Sequence, residues 1–198
     1  DESKYSKWNE EVFFSNRHFD NLFLENKEQL LSRIDFFLNN KEWYDERGIP
    51  YNLGVGLHGA PGTGKTSFIK ALANKTKRDI VVIPLSLVKT KSELSDLFYE
   101  STYNTKNDKQ SKGFDKKIIV FEDIDCIGDV VKNRETKNKK IANSLKQYED
   151  ALKKTNGGAT SLLPMVPDYF TLDDFLNLWD GVLETPGRII VITSNFYE

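Results

Sequence analysis

Two short stretches carry residue types whose spacing suits phosphate chemistry. The first is Gly59-Ala60-Pro61-Gly62-Thr63-Gly64-Lys65-Thr66, followed by Ser67, and it matches G-x-x-x-x-G-K-[ST]. In such a loop the glycines let backbone N–H groups approach phosphate oxygens closely, and the start of the following helix adds its positive end. Lys65 would reach the β- and γ-phosphates of a triphosphate, and the Thr66 hydroxyl would ligate Mg²⁺. The pattern arises by accident in about one chain in a hundred of this size, so the flanks decide. Asn52 to His58 reads as a short buried strand, and Ser67 to Ala73 as a helix with apolar residues at helical spacing. Strand, Gly-rich loop and helix together indicate a nucleoside triphosphate site.

The second stretch is Glu122-Asp123-Ile124-Asp125, at the end of the apolar run Ile118-Ile119-Val120-Phe121. A buried strand that delivers carboxylates at its C-terminal end is what a Mg·ATP site requires. One carboxylate holds the metal, directly or through water, and a second positions and activates the attacking water. Acidic loops after strands are common. This one falls downstream of a phosphate loop, where ligands of open α/β sheets gather at strand ends. Arg188 to Ser194 forms a further buried strand, tipped by the amide of Asn195.

Positioning these tips requires a sheet and its covering helices. Asp79 to Leu85 reads as another buried parallel strand, and Ser92 to Glu100 as a short helix burying Leu94, Leu97 and Phe98. A helix is expected from near Asn26, with Leu30, Leu31, Ile34, Phe37 and Leu38 on one stripe, ending by Gly48-Ile49-Pro50. The charged residues from Lys41 to Arg47 suit a solvated face. Residues 1–25 read as an N-terminal arm whose aromatics dock on a domain spanning 26–198. Residues 101–117 read as an exposed loop. Within the lysine-rich 128–156 stretch, Ile141, Leu145, Tyr148 and Leu152 form one narrow helical stripe; a solvated basic face is preferred there over a nucleic-acid contact. Thr171 reads as the N-cap of a helix burying Leu172, Phe175, Leu176, Trp179 and Leu183.

Composition sets bounds. A chain of 198 residues can hold one domain with a sizeable core, and 38% hydrophobic with 29% charged residues suits a soluble globular protein. A net charge of -2 gives no global reason to expect nucleic acid or an anionic membrane. Cys126 is the one cysteine, which excludes an intrachain disulfide and fits a reducing, intracellular compartment. No apolar run reaches the ~18 residues of a membrane span, and the first residues are not those of a signal peptide. A targeting or membrane segment outside these residues is left open.

With the three strand-end motifs in hand, the sequence resembles the AAA+ ATPases, and within them the Bcs1-like branch. Glu42-Trp43-Tyr44-Asp45-Glu46-Arg47-Gly48-Ile49-Pro50-Tyr51 and the order Glu122-Asp123-Ile124-Asp125 point to that branch. So do Phe175 to Val182 and Gly187 to Asn195. The likeness covers roughly 26–195, interrupted at 101–117 and by a family-atypical insertion at 127–168. It implies a three-layer α/β/α P-loop NTPase domain with a mainly parallel sheet, the AAA+ large subdomain. It also implies residue roles. Lys65 and Thr66 take the Walker A positions, Glu122 the metal-side Walker B position, Asp123 that of the water-activating carboxylate, and Asn195 that of sensor 1. Gly48 and Ile49 lie where family members line the adenine pocket. Most members read Asp-Glu where this chain reads Glu122-Asp123, so the split of roles between the two stays open. The family's arginine finger and helical lid follow sensor 1 and are not expected within these residues. No aromatic–hydrophobic–Gly loop occurs between Leu85 and Ser92, which speaks against an ordinary threading unfoldase; the resemblance to the Bcs1-like branch implies handling of folded cargo.

The expected activity is hydrolysis of Mg·ATP to ADP, driving remodelling of a protein client by a homo-oligomeric ring. The rivals are a nucleic-acid-directed motor using the 132–154 segment, and a nucleotide-switched binding module with little hydrolysis. A small-molecule kinase is disfavoured, because the acidic pair and Asn195 suit water activation better than acceptor binding. His58 is expected to be a satisfied core histidine, His18 has no partner in view, and Cys126 reads as a small buried hydrophobe rather than a nucleophile.

Overall fold

The computed structural model describes residues 8–104, 111–122, 124–125 and 172–195. The expectations for Tyr5, Asp123, Cys126, the lysine-rich stretch and the Thr171 cap lie outside these residues. Four strands form one sheet: β1 (Asn52–His58), β2 (Asp79–Pro84), β3 (Lys117–Glu122) and β4 (Arg188–Ser194), in the order β1-β4-β3-β2. Every pairing is parallel.

The apolar runs explain the order. β3 and β4 hold the centre and are buried along most of their length, while β1 and β2 alternate between buried and exposed positions. Alternation along the central strands feeds two cores. Ile118, Val120, Ile189 and Val191 face one cluster, which includes Ile34 and Phe37 of α1 (Lys27–Asn39) and Phe68, Ile69 and Leu72 of α3 (Lys65–Thr76). Ile119, Phe121 and Ile190 face the other, with Leu94 and Phe98 of α4 (Lys91–Tyr99) and Phe175 of α5 (Leu172–Trp179). Each fully buried Phe, Leu or Ile side chain contributes about 2 kcal/mol, so both faces must be covered. The result is the expected three-layer α/β/α arrangement.

The helix expected to run from Asn26 to Gly48 is two helices. α1 ends at Asn39, Asn40 leaves helical geometry (φ -124°, ψ 42°), and α2 (Lys41–Arg47) follows. Side-chain amides cap the last carbonyls of α1 at the break. Asn39 Nδ2 donates to the Asp35 carbonyl at 2.8 Å, and Asn40 Nδ2 to the Phe36 carbonyl at 2.9 Å, which also accepts the Asn40 N–H at 3.0 Å. Gly48 terminates α2 with φ 61°, as its C-cap reading required. The corner is held by rings: Tyr51 stacks on Phe37 at 4.6 Å, and Tyr44 lies 5.2 Å from Tyr51.

Within the arm only some aromatics dock. Phe19 is buried edge-on against Phe68 at 5.4 Å, and Trp8 meets Tyr103 edge-on at 4.8 Å. Asn74 of α3 fastens the segment between them by donating to the carbonyls of Ser15 (2.9 Å) and Arg17 (2.7 Å). Phe13, Phe14 and Phe23 are exposed, contrary to the expectation that the arm's aromatics dock as a set. On the opposite face Trp179 lies so close to β1 that a Cβ on Gly54 would come within 2.5 Å of its ring. Only glycine admits that contact. Among the described residues no helix is long and apolar enough to cross a membrane.

Candidate functional site

β1, β4 and β3 are neighbours, so their C-terminal ends deliver the phosphate loop, Asn195 and Glu122 side by side. The register pairs His58 with Ser194 and Phe121 with Ile192. Two backbone bonds carry the pairing past the strand ends. Gly59 N–H donates to the Ser194 carbonyl at 3.2 Å, and Ile124 N–H to the Thr193 carbonyl at 3.0 Å. The mouth of the loop and the segment after β3 are thus both tied to the tip of β4.

The loop holds its shape through glycine and threonine. Gly59, Gly62 and Gly64 have φ of 137°, 85° and 96°, values that side-chain-bearing residues rarely adopt. Thr63 donates twice to the Ala60 carbonyl, from its N–H (3.3 Å) and its hydroxyl (2.8 Å). That hydroxyl fills the space over Gly59, where a Cβ would come within 2.9 Å of it. In α3 the N–H of Phe68 bonds to the Gly64 carbonyl at 2.9 Å. The N–H groups of Lys65, Thr66 and Ser67 are left without an intrahelical acceptor. No acidic side chain occupies the first turn of α3. Orphan donors at the positive end of a helix, with no carboxylate to satisfy them, suit a phosphate group.

Lys65 is half-buried inside this loop. Its ammonium donates to the Gly59 carbonyl, to the Ala60 carbonyl at 3.3 Å and to Asn195 Oδ1 at 3.0 Å. Asn195 in turn donates its backbone N–H to Asp125 Oδ1 at 3.3 Å. Thr66 and Glu122 are exposed on the same side. Among the described residues no three His, Cys, Asp or Glu side chains converge. A divalent ion at Thr66 and Glu122 would therefore complete its shell with phosphate and water oxygens, as Mg²⁺ commonly does.

Gly48 and Ile49 are not brought to the loop by this sheet. They precede β1, with that strand's seven residues, at ~3.3 Å rise each, running between them and Gly59. His58 is not a core residue: β1 is an edge strand among the described residues, and its last position faces solvent.

Two buried cations at the feet of β4 and β3, Arg188 and Lys117, lie outside the strand-end motifs read from the sequence. Arg188, 3% exposed, donates to the carbonyls of Leu178 (3.3 Å) and Trp179 (2.6 Å) at the end of α5. It caps that helix from the start of β4, where a cation is favoured by the helix dipole. Burial pulls its pKa down. Lys117, 1% exposed, donates to the Glu100 carbonyl and to the Tyr103 hydroxyl at 2.8 Å, with its ammonium 4.7 Å from the Phe114 ring. Burial pulls its pKa down to about 8, against the pull of Glu100. The signal was available, since Lys117 directly precedes an unbroken apolar strand.

Comparison with known proteins agrees with this geometry. The sequence model of the AAA family, "ATPase family associated with various cellular activities", matches residues 55–197. An AAA-ATPase of Arabidopsis thaliana is 34% identical over 174 residues, covering 87% of this chain and 31% of its own length. The mitochondrial AAA-ATPase ASD of the same plant is 32% identical over 201 residues, 98% of this chain and 36% of its own. A Dictyostelium discoideum protein named "Probable mitochondrial chaperone BCS1-B" is 31% identical over 171 residues, 86% and 35% respectively. The chain spans about a third of the length of these relatives.

Proposed function

The chain belongs to the AAA family of ATPases, in its Bcs1-like branch, and on that premise we propose that it binds Mg·ATP and hydrolyses it to ADP. The observation that carries the reading is the convergence of three strand ends: Lys65 in the phosphate loop lies 3.0 Å from the amide oxygen of Asn195, beside the strand that ends in Glu122. Lys65 holds the β- and γ-phosphates, with the N–H groups of Gly62 to Thr66 around them. Thr66 and Glu122 would hold the metal ion, which would supply positive charge beside the phosphates. Asp123 orients the lytic water and accepts its proton, and Asn195 fixes that water against the γ-phosphate. Rate acceleration then comes from positioning and charge stabilisation.

In this reading the whole protein is a ring that remodels a protein client. Oligomerisation would let a neighbouring subunit supply an arginine, which can be worth ~10³–10⁵ in rate. Two relatives carry "mitochondrial" in their names, which makes that organelle the first compartment to examine. The test is steady-state ATP hydrolysis over a wide range of protein concentration, with Asp123→Asn in parallel. Specific activity that climbs with concentration and collapses in the variant supports assembly-dependent hydrolysis. Tight Mg·ATP binding with no turnover at any concentration would replace it with a nucleotide-switched binding module, the role to which the Glu122-Asp123 order also lends itself.

A further inference from the structure

We infer that Asp125 is a positioning residue for Asn195 and, through it, for Lys65, so that the segment after the acidic pair and the phosphate loop are held in one frame. For its effect on turnover the inference rests on the hydrolytic reading above. β4 ends at Ser194, whose carbonyl is taken by Gly59 N–H. Asn195 is the first residue past the strand, where the backbone N–H needs an acceptor from outside the ladder. Asp125 Oδ1 supplies it at 3.3 Å. The supply is local and directed: Ile124 N–H reaches the Thr193 carbonyl at 3.0 Å, which places the next side chain over the tip of β4. From there the contacts run on to the Lys65 ammonium, 3.0 Å from Asn195 Oδ1, and to the loop carbonyls of Gly59 and Ala60.

Three residues thus link the phosphate loop to the segment after β3, and Asp125 anchors the end away from Lys65. Its side-chain oxygen accepts the amide N–H at 3.3 Å. Without it the Asn195 N–H loses this tie at the strand end, and a misplacement of ~1 Å in a positioning group can cost on the order of 10²-fold in rate. What Asn195 needs from Asp125 is an oxygen at the right place and not a charge. An amide oxygen should therefore replace it.

The experiment compares Asp125→Ala and Asp125→Asn with the parent in the intact protein. It reads kcat and KM for Mg·ATP, affinity for Mg·ADP, and hydrogen exchange of the Asn195 amide. Asp125→Ala is expected to lower kcat ~10-fold and to speed Asn195 exchange, with Mg·ADP affinity unchanged. Asp125→Asn is expected to keep both parental kcat and parental exchange. Loss in the Asn variant as deep as in the Ala variant would overturn the inference in favour of a charge or metal role for Asp125. So would Ala exchange at the parental rate, or kcat and ADP affinity falling together. Should the Ala variant not fold, Asp125→Glu takes its place; its longer side chain should lower kcat and speed the exchange. If the parent binds Mg·ATP without turning it over, the hydrolytic reading alone fails, and Asn195 exchange in the variants still decides the positioning role.

Discussion

At the C-terminal ends of the strands Lys65 reaches across a glycine-rich loop to Asn195 at 3.0 Å, while at the N-terminal ends Lys117 and Arg188 are sealed among carbonyls and rings. Arg78 joins the second group, donating to the carbonyls of Phe114 and Gly187 beneath the sheet. All four cations are bonded to carbonyl oxygens; Lys117 and Arg188 are buried, whereas Arg78 and Lys65 are half-buried. Lys117 and Arg188 occupy sites where an exchange of partner would leave a charge without solvent. Lys65 sits above orphan N–H donors at an open helix terminus, where an incoming anion can compete for it. The lower cations hold the strands in register for an upper end that is left adaptable.

Lys65→Ala gives the largest expected separation between the two ends. ATP turnover should fall by 10²-fold or more, roughly the loss of one preorganised charge contact in a transition state, while the thermal midpoint stays within a few degrees of the parent. Hydrolysis rates and calorimetry on the same preparation check it. A large fall in the midpoint would erase the contrast, because Lys65 would then be structural like the lower three.

Arg188→Met should do the reverse. It keeps most of the apolar stem but leaves the carbonyls of Leu178 and Trp179 without their donor at 3% exposure. The expected cost is about 2–3 kcal/mol of stability, read by urea unfolding. Affinity of the folded fraction for Mg·ADP should hold within about twofold, since α5 and the foot of β4 lie a strand's length from the loop.

The contrast also marks what could be read without the fold. Local patterns were sufficient for the loop, the acidic strand end and the Asn195 tip, because each is a few consecutive residues whose geometry is dictated by glycine, alternation and helix start signals. The burial of Lys117 and Arg188 depends on which strands become central, and that is settled by pairings between residues about 70 apart in the chain. The same non-local choice put β1 at an edge among the described residues and exposed His58. Gly54 read as an ordinary strand residue, because nothing near it in the sequence announces that Trp179 will lie on it. The break at Asn40 was local and still missed: two successive asparagines turned their amides onto carbonyls one turn back. Phe13, Phe14 and Phe23 gave the opposite error, apolar residues assigned to a surface that they do not cover.

The smallest effect tests the lower end by pH. The Lys117 pKa is pulled down from the ordinary lysine value of 10.5 to about 8, because burial disfavours the ammonium. Below pH 8 both folded and unfolded chains carry the proton, and the folded state bears the full cost of the buried charge. Between pH 8 and 10.5 the unfolded chain binds more protons, so this residue makes stability rise with pH. From pH 8 to pH 9 the gain should be about 1 kcal/mol, at most ~1.4 kcal/mol per pH unit. The Tyr103 phenol does not offset it, since burial first and Glu100 second push its pKa upward and it stays protonated throughout. Lys117→Met carries no titrating group at this position and should remove the gain. The measurement is urea unfolding of both proteins at pH 8 and pH 9, taken as a difference so that groups common to both cancel. Equal slopes in the two proteins would mean that the Lys117 ammonium is as well served by the Glu100 carbonyl and its rings as by water. The lower cations would then stabilise the sheet at no cost in charge burial.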